Sequence, residues 1–358
     1  MRLGLLLYGS LDFISGGFIY DRRLVEYLRR QGDQVEVVSL PWPSYPRGLL
    51  DNLRFGLERR LRQAPFDALL QDELAHPSLF LLNRRLRSRV SYPIVAIVHL
   101  LRCHDQYPAW QNWFYRLIER KYLASVDGLV CVSQTLKAQV ESLGGNSRPV
   151  VVAPPGGDGL PGAVTVEQIA AQAASPVPLK IIFVGNVIPR KELHTLLAAL
   201  ASLPAGDWNL KVAGSLTADP SYAAAMRRRI DSGGLAGQVS LLGVLSPPEL
   251  AAHLLDSHLL VVPSSYEGFG IVYLEAMRFG VPAIAGTQGA AREIVRHGHN
   301  GFLVPPGDAE ALAQFLRLLS QDRERLAAMS LAAQQSYGGH PTWQESAGMV
   351  RGFLQGLI

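Results

Sequence analysis

The stretch that decides the fold runs from Val261 to Met277 and reads VVPSSYEGFGIVYLEAM. It begins with apolar, β-branched residues, which are typical of a buried strand, and it ends in a segment that reads as the opening of a helix. Between them lies a turn with Gly268 and Gly270, where backbone can approach a ligand that a Cβ would block. A strand, a glycine loop and a helix N-terminus present backbone N–H groups to an anion. The stretch therefore predicts an anion-binding loop in an α/β sheet.

Two carboxylates bracket this loop. Glu267 precedes the glycines, and Glu275 lies eight residues later, inside the predicted helix. Repulsion disfavours a carboxylate beside a phosphate, so each one more reasonably accepts hydrogen bonds from sugar hydroxyls, one from a ribose and one from a hexose on either side of a pyrophosphate. That arrangement describes a nucleotide-sugar. The alternative is an ordinary strand-to-helix turn with two solvated glutamates, because two glutamates at a fixed spacing are a short pattern that can arise by chance.

The match is longer than that spacing. The pattern Pro-Ser-x-x-Glu-Gly-Phe-Gly-x-x-x-Leu-Glu-Ala-Met, which starts at Pro263, resembles the signature of the retaining family 4 glycosyltransferases of the GT-B fold. The resemblance implies an α/β protein with two Rossmann-like, doubly wound parallel-sheet domains that face each other across a cleft, and a C-terminal helix that crosses back to the first domain. It also implies transfer of a hexose from a UDP- or GDP-hexose to a hydroxyl acceptor, with retention of anomeric configuration.

Length and composition agree with two domains. The chain has 358 residues, 48% hydrophobic and 18% charged, so it can bury two cores and is not globally disordered. Predicted strands and helices alternate over nearly the whole chain, which is typical of parallel sheets. We predict an N-terminal acceptor domain (1–165), a linker rich in proline, glycine and alanine (166–178), a donor domain (179–340) and a returning C-terminal helix (341–358).

The resemblance assigns the donor site residue by residue. Lys191 lies at a turn before a helix and matches the lysine that meets the pyrophosphate. The family usually has arginine where this chain has Asn186, and the nearby Arg190 could supply the missing charge. Glu267 is expected to bind the transferred sugar and Glu275 the ribose. The remaining donor-binding residues of the prediction are Gly16, Gly17, Val244, Gly268, Phe269, Gly270, Ile271 and Val272.

Histidines and a serine follow predicted strands of the first half. His99 matches the family's cleft-facing histidine and joins Glu267 and Lys191 in the predicted catalytic set. His76 and Ser133, with His99, are predicted on the acceptor side, because ligands of open α/β sheets bind at the carboxyl ends of strands. The alternative for each is structural, and Gly16-Gly17 could likewise be only a tight turn.

We expect no metal and no cofactor. The sequence contains no Asp-x-Asp, and no His/Cys cluster has zinc spacing. A diphosphate that leaves without a metal needs protein cations and a helix N-terminus to stabilise it. Lys191, Arg190 and the N–H groups around Gly270 and Ile271 are the candidates.

The excess positive charge lies in the first half. Residues 1–178 hold 20 basic against 16 acidic residues, whereas 179–358 hold 14 of each. Basic helices with aromatic residues can lie in a lipid interface, so we predict an anionic membrane surface as a partner and a glycan or lipid-linked acceptor. The basic clusters are Arg54, Arg59, Arg60 and Arg62; Arg84, Arg85, Arg87 and Arg89; and Arg116, Arg120 and Lys121. Solvated helix faces are the alternative explanation, and no recognised motif supports nucleic acid as a partner.

Other classes remain as alternatives. A dinucleotide-dependent oxidoreductase would need a G-x-G-x-x-G after a strand, and a phosphorylase of this fold would need a pyridoxal lysine site; neither is evident. A non-catalytic nucleotide-sugar-binding module is an alternative because of Asn186, and a soluble acceptor is another. With two cysteines, Cys103 and Cys131, the count suits a reducing cytosol. The expected location is therefore cytoplasmic. If the protein binds a membrane, we expect it to attach peripherally to the inner face.

Overall fold

The computed structural model gives the fold of most of the chain. The described residues are 1–53, 55–105, 107–175 and 178–358. Arg54, a member of the first basic cluster, and Pro176 and Val177, which belong to the predicted linker, lie outside them.

The chain divides into two compact units. One comprises Met1–Pro155 with Trp343–Ile358, and the other comprises Gly156–Thr342. The division differs from the predicted boundaries, because the second unit already begins at Gly156. The physical reason is the helix Val166–Ala173, which buries Ile169 and Ala173 and packs against a helix of the second unit.

The first unit is built around a six-stranded parallel sheet with the order β2-β1-β3-β4-β5-β6. The inner strands β3, β4 and β5 are buried throughout, and β4 and β5 contain no charged or amide side chain, as expected for a parallel sheet covered on both faces. The strands are β1 (Arg2–Tyr8), β2 (Gln34–Leu40), β3 (Ala68–Asp72), β4 (Ile94–Val98), β5 (Gly128–Cys131) and β6 (Val150–Val152). The helices are α1 (Gly16–Arg30), α2 (Tyr45–Asp51), α3 (Phe55–Gln63), α4 (His76–Leu86), α5 (Ala109–Leu123), α6 (Gln134–Ser142) and, from the C-terminus, α15 (Trp343–Gln355).

The C-terminal helix belongs to this first unit. It packs against α1 and β6, with the ring of Trp343 5.9 Å from that of Tyr20. Arg351 donates to the buried carboxylate of Asp33 at 2.8 Å, and the N-terminal ammonium of Met1 pairs with the same carboxylate at 2.8 Å. One buried aspartate thus ties both ends of the described chain to the same unit.

The second unit contains another six-stranded parallel sheet, with the order β12-β11-β10-β7-β8-β9. The direction of the strand order reverses between β7 and β10, which makes the carboxyl ends of these two strands the expected ligand crevice. The strands are β7 (Leu179–Val184), β8 (Trp208–Ala213), β9 (Val239–Gly243), β10 (Leu259–Val262), β11 (Ala283–Gly286) and β12 (Gly301–Val304). The helices are α7 (Val166–Ala173), α8 (Leu193–Ala201), α9 (Pro220–Ser232), α10 (Pro247–Leu255), α11 (Ile271–Arg278), α12 (Ala291–Ile294), α13 (Ala309–Gln321) and α14 (Arg323–Gly338).

Helix lengths and polarity bear on membrane insertion. Among the described residues, no helix combines the length and the apolar character that crossing a bilayer would require.

Candidate functional site

Two loops of the second unit meet where the strand order reverses. The loop after β7 contains the 3-10 turn Pro189–Lys191, and the loop after β10 contains Glu267. The backbone N–H of Ser265 donates to the carbonyl of Arg190 at 2.9 Å. The guanidinium of Arg190 donates to the carbonyl of Tyr266 at 2.8 Å. These bonds fix the two loops against each other.

The carboxylate of Glu267 is the centre of this contact. Glu267 is 6% exposed, and one of its oxygens accepts hydrogen bonds from the Lys191 ammonium and, at 2.6 Å, from the Ser264 hydroxyl. The other oxygen lies 3.7 Å from the guanidinium of Arg190. The structure thus brings together three predicted site residues and adds Ser264, which the sequence showed only as part of the motif.

Charge compensation decides the protonation of this group. Burial opposes ionisation of Glu267, but the charges of Lys191 and Arg190 and the hydrogen bonds from Lys191 and Ser264 hold the pKa of this carboxyl below its ordinary value. Burial also lowers the pKa of the Lys191 ammonium, against the attraction of Glu267. The arrangement is a buried ion pair with a second cation beside it, which is suited to receive an anion.

The turn that carries Lys191 is held in an unusual conformation. Glu192 has φ 53°, the left-handed region, and is the one non-glycine residue with positive φ in the described parts of the chain. Its carboxylate accepts from the Thr195 hydroxyl at 2.9 Å and from the Gly307 backbone N–H at 2.7 Å. Backbone strain of this kind persists where surrounding contacts enforce it, often at functional sites. Nothing in the sequence indicated this conformation.

Two glycines shape the loop around Glu267. Gly270, at φ 96°, precedes α11, and a Cβ there would overlap the ring of Tyr273. Gly289, at φ 79°, follows β11, and a Cβ there would overlap the Glu267 carbonyl oxygen. The next backbone N–H, of Ala290, donates to that same oxygen at 2.8 Å. Sequence alone does not single out Gly289, because its partner lies 22 positions away.

The other predicted donor residues occupy the edges of this site. Gly268 and Phe269 are buried in the loop, Ile271 and Val272 open α11, and Glu275 is half-buried on the same helix. The side-chain oxygen of Asn186 accepts from the Ser215 N–H at 3.4 Å, so it ties the loops after β7 and β8. Val244 is 50% exposed and follows β9, which β8 separates from β7; the structure does not bring it to Glu267.

In the first unit, His99 lies at the end of β4 against the start of α1. Its Nε2 is 3.0 Å from an oxygen of Asp21, and its ring meets the edge of the Tyr20 ring at 5.3 Å. A Cβ added to Gly17 would lie 3.1 Å from the His99 ring. The predicted glycine turn of Gly16 and Gly17 and the predicted histidine are therefore neighbours within one unit.

Buried acids surround this histidine. Burial alone would lower the pKa of His99, but the nearby charges of Asp21, Asp72 and Glu73 and the hydrogen bond to Asp21 raise it to about 9. Burial, with the charge of Asp21, raises the pKa of Asp72 to about 7. Asp21 and Asp72 were not predicted as site residues, since an aspartate within a helix and one at a strand end are common.

His76 and Ser133 occupy buried positions. Nδ1 of His76 lies 3.0 Å from Glu73 and its Nε2 lies 3.0 Å from the Tyr45 hydroxyl, so its ring is held inside a polar network. Ser133 is fully buried and its hydroxyl accepts from the Leu136 N–H at 3.1 Å as the N-cap of α6. Their acceptor-side role stays a prediction; the N-cap could have been recognised from the serine that precedes a helical pattern.

In the described part of the chain, two groups of side chains could by distance hold a metal ion. Asp21, Asp72 and His99 form one group, and Glu73, His76 and Glu119 form the other; in each, the potential ligand atoms lie within 4.8 Å of one another. Sequence spacing did not reveal them, because the members come from different elements. In the first group the His99 nitrogen already shares a hydrogen bond with Asp21, so we interpret that group as an ion pair. The expected absence of a metal stays a prediction.

Comparison with known proteins decides the family. A family model described as "Glycosyl transferase 4-like domain" matches residues 18–156, and one described as "Glycosyl transferases group 1" matches residues 166–336. Both models are those of glycosyl transferases, and together they cover most of the chain. The interpretation as a glycosyltransferase is thus confirmed at the level of the family, and the second match contains all of the Lys191–Glu267 contact.

Relatives of this chain include two mycobacterial enzymes. The GDP-mannose-dependent alpha-(1-6)-phosphatidylinositol monomannoside mannosyltransferase of Mycobacterium tuberculosis is 30% identical over 186 residues, 49% of this chain and 47% of that one. The chain thus matches about half the length of that relative. The phosphatidyl-myo-inositol mannosyltransferase of Mycobacterium leprae is 28% identical over 94% of this chain and 93% of its own.

Solved structures with the same fold include sucrose-phosphate synthase from Thermosynechococcus elongatus, with a TM-score of 0.85 and 20% identity over 99% of this chain and 98% of that one. HepE from Anabaena, solved in complex with UDP-glucose, has a TM-score of 0.77 and 20% identity over 100% of both chains. These likenesses, with the two six-stranded parallel sheets, confirm the predicted GT-B α/β fold.

Proposed function

We propose that this glycosyltransferase moves a hexose from a nucleoside-diphosphate sugar to a hydroxyl acceptor, with retention of anomeric configuration and without a metal ion. The observation that carries the proposal is the contact of Lys191 and Arg190 with Glu267 at the point where the strand order reverses. The two cations at that place can bind the diphosphate of such a donor, and the carboxylate can bind the hydroxyls of its hexose.

The chemistry follows from these groups. Lys191, Arg190 and the N–H groups at the start of α11 stabilise the charge that develops on the departing diphosphate. Glu267 accepts a hydrogen bond from the transferred hexose, and Glu275 accepts one from the ribose. The leaving phosphate assists deprotonation of the acceptor hydroxyl on the same face of the donor. No carboxylate nucleophile is then required, and retention results.

The experiment is identification of the donor followed by product analysis. Stabilisation against heat is measured with UDP- and GDP-hexoses, because a ligand that binds the folded state raises its apparent stability. The stabilising donor is then incubated with acceptors in the presence of EDTA, and the anomeric proton of the product is followed by NMR. A product with inverted configuration, or a reaction that requires added Mg²⁺ or Mn²⁺, contradicts the proposal. Binding without hydrolysis or transfer would support the non-catalytic alternative.

We further propose that the acceptor is lipid-linked and that the first unit attaches peripherally to an anionic membrane surface. On α5, Trp110 and Trp113 are 69% and 66% exposed, and Leu117, four residues further on, is 37% exposed. Their spacing places them along one face of the helix. Arg116 and Arg120 lie beside this exposed stripe. A helix of this kind fits a lipid interface, and the names of the mycobacterial relatives refer to phosphatidylinositol acceptors.

The basic clusters separate into two kinds. Arg85 and Arg89 both pair with the buried carboxylate of Glu58, and Arg60 pairs with Glu36 at 2.8 Å. These arginines therefore have a structural role within the unit. By contrast, Arg84, Arg87 and Lys121 line an open depression of about 530 Å³ together with Ser88 and Ala124. Arg87 also pairs with Asp127 at 2.7 Å. The depression presents positive charge beside the C-terminal half of α5 and suits a phosphate group.

Vesicle cosedimentation tests the membrane proposal. We expect binding to vesicles that contain anionic lipid, and weaker binding as salt is raised. The double variant Trp110→Ala/Trp113→Ala should lose binding, whereas Met349→Ala, which removes another exposed apolar side chain of this unit, should retain it. Equal absence of binding to neutral and anionic vesicles at low salt would instead favour a soluble acceptor.

A further inference from the structure

His99 reaches the surface in front of a group of buried acids. Its side chain is 9% exposed, whereas Asp21 is fully buried and Asp72 and Glu73 are each 1% exposed. The acids come from three elements: Asp21 from α1, Asp72 from the end of β3, and Glu73 from the 3-10 turn that follows. These are the charged groups that face the histidine, and the Tyr20 ring covers another side of it. The carboxyl groups are therefore hidden, and the imidazole is the part that a ligand can meet.

The buried position of Asp21 demands a positive partner. A carboxylate without solvent is strongly destabilised unless it is paired and hydrogen-bonded. One oxygen of Asp21 lies 3.0 Å from His99 Nε2, and its other oxygen is buried with no hydrogen-bond partner among the residues that the structure describes. A neutral imidazole can supply a hydrogen bond to Asp21 but no charge. An imidazolium supplies both.

The second ring nitrogen of His99, Nδ1, is the one that an imidazolium would leave for a ligand. Within the described residues, no hydrogen bond to Nδ1 of His99 is found. In an imidazolium, both ring nitrogens are donors. With Nε2–H directed at Asp21, the remaining Nδ1–H becomes a charged donor that the protein does not use internally.

We propose that Asp21 is a positioning residue that holds His99 as an imidazolium, so that His99 offers a charged N–H donor and not a basic nitrogen to a substrate oxygen. The inference rests on the proposed function in one respect, namely that His99 contacts a substrate. It assigns His99 to charge stabilisation on a phosphate or sugar oxygen, and it leaves deprotonation of the acceptor to the leaving phosphate. The raised pKa of His99, about 9, agrees with this geometry.

The test joins an NMR titration with a pH–rate profile. The imidazole resonances of His99 are assigned from their loss in His99→Gln and titrated in wild type, Asp21→Asn and Asp33→Asn. Asp33 is the matched control, because it is another buried aspartate of the same unit with ion pairs to Arg351 and the N-terminus. We expect His99 to titrate well above pH 7 in wild type and in Asp33→Asn, and at least about one pH unit lower in Asp21→Asn.

Kinetics then separate this inference from the proposed function. If His99 acts as a charged donor, kcat/KM falls as pH rises through the pKa of His99, and the fall moves to lower pH in Asp21→Asn. A general base would give the opposite slope, with kcat/KM rising through that pKa. Titration of His99 at an ordinary pH, or no change in Asp21→Asn, overturns the role of Asp21. A shifted titration with an unshifted kcat/KM profile would leave that role standing and overturn the placement of His99 at the substrate.

Discussion

The ammonium of Lys191 and the carboxylate of Glu267 form a buried ion pair across two loops that are 76 residues apart in sequence. Each side chain lies where the other compensates its charge, and Arg190 adds a second cation. An arriving diphosphate can share Lys191 with Glu267, while a hexose hydroxyl can take the place of one cation on the carboxylate. Each group therefore favours the ionised form of the other.

Replacement of Lys191 tests this pairing. We expect Lys191→Ala to weaken binding of the nucleotide by about 10- to 100-fold, because a hydrogen bond to a charged group contributes about 1.5–3 kcal/mol. It should also lower the melting temperature, since Glu267 is left as an uncompensated buried charge. Titration calorimetry and thermal unfolding measure the two effects.

A double variant separates these contributions. Lys191→Ala/Glu267→Gln should recover part of the lost stability but not the lost affinity. Glu267→Gln alone should lower turnover more than stability. Lys180→Ala removes one cation from the exposed pair with Asp256 and should change both quantities little. Normal nucleotide affinity in Lys191→Ala would contradict the assigned role.

Glu275 is expected to bind the ribose through its hydroxyl groups. Glu275→Gln should weaken binding of the nucleoside diphosphate by about 10-fold or more, and it should reduce the preference for ribose over 2′,3′-dideoxyribose analogues. Competition binding with the two analogues measures that preference. Glu310→Gln, an exposed glutamate on α13, provides the control. An unchanged preference in Glu275→Gln would show that the ribose is bound elsewhere.

Arg190 is expected to supply the charge that Asn186 lacks. Its guanidinium already lies in the contact, at 2.8 Å from the Tyr266 carbonyl and 3.7 Å from Glu267. We expect Arg190→Ala to weaken donor binding by roughly 10-fold or more, and Arg190→Ala/Asn186→Arg to regain part of the loss. Steady-state kinetics with varied donor are the measurement. Wild-type kinetics in Arg190→Ala would mean that asparagine at 186 is simply tolerated.

Gly289 is expected to be irreplaceable for the loop of Glu267. Gly289→Ala should displace the Glu267 backbone, because the new Cβ overlaps its carbonyl oxygen, and donor binding should fall. Gly298 has a similar φ of 77° but no atom near its Cβ position. Gly298→Ala therefore carries the conformational cost without the overlap. Calorimetry on both variants decides whether the loss of donor binding is specific to Gly289.

The first unit should lose stability between pH 7 and 9. Burial, opposed by the charge of His99, raises the pKa of Glu73 to about 8. The nearby acids, against the effect of burial, raise the pKa of His99 to about 9. In both cases the folded state holds a proton that the unfolded state has released. The free energy of unfolding then falls as pH rises, by up to about 1.4 kcal/mol per pH unit for each such proton.

Chemical denaturation at several pH values measures this slope. Glu73→Gln should make it shallower, because the substituted side chain binds no proton. Asp33→Asn should keep the wild-type slope. Against the effect of burial, Arg351 and the N-terminus lower the pKa of the Asp33 carboxyl. Its protonation therefore changes the free energy of unfolding only at acid pH. A flat wild-type profile over this range would contradict the protonation assigned to the buried acids.

Much of the donor site could be predicted from sequence because its information is local. The strand, glycine loop and helix around Glu267 follow from a run of apolar residues and two glycines, which act within a few positions of one another. The turn at Lys191 and the alternation of strands and helices are local for the same reason. The strand predicted at Val261 and Val262 is observed within β10, and the helix predicted to open at Ile271 is observed as α11.

The sequence by itself determined the α/β class, the donor loop and the family resemblance, since periodicity and turn chemistry are short-range. Only the tertiary structure decided that Lys191 pairs with Glu267, that Gly289 supports the Glu267 carbonyl, and that Asp21 and Asp72 surround His99. These contacts join residues that lie 22 to 78 positions apart. The order of strands in each sheet sets their distances, and burial sets their charges, so neither could be read from spacing along the chain.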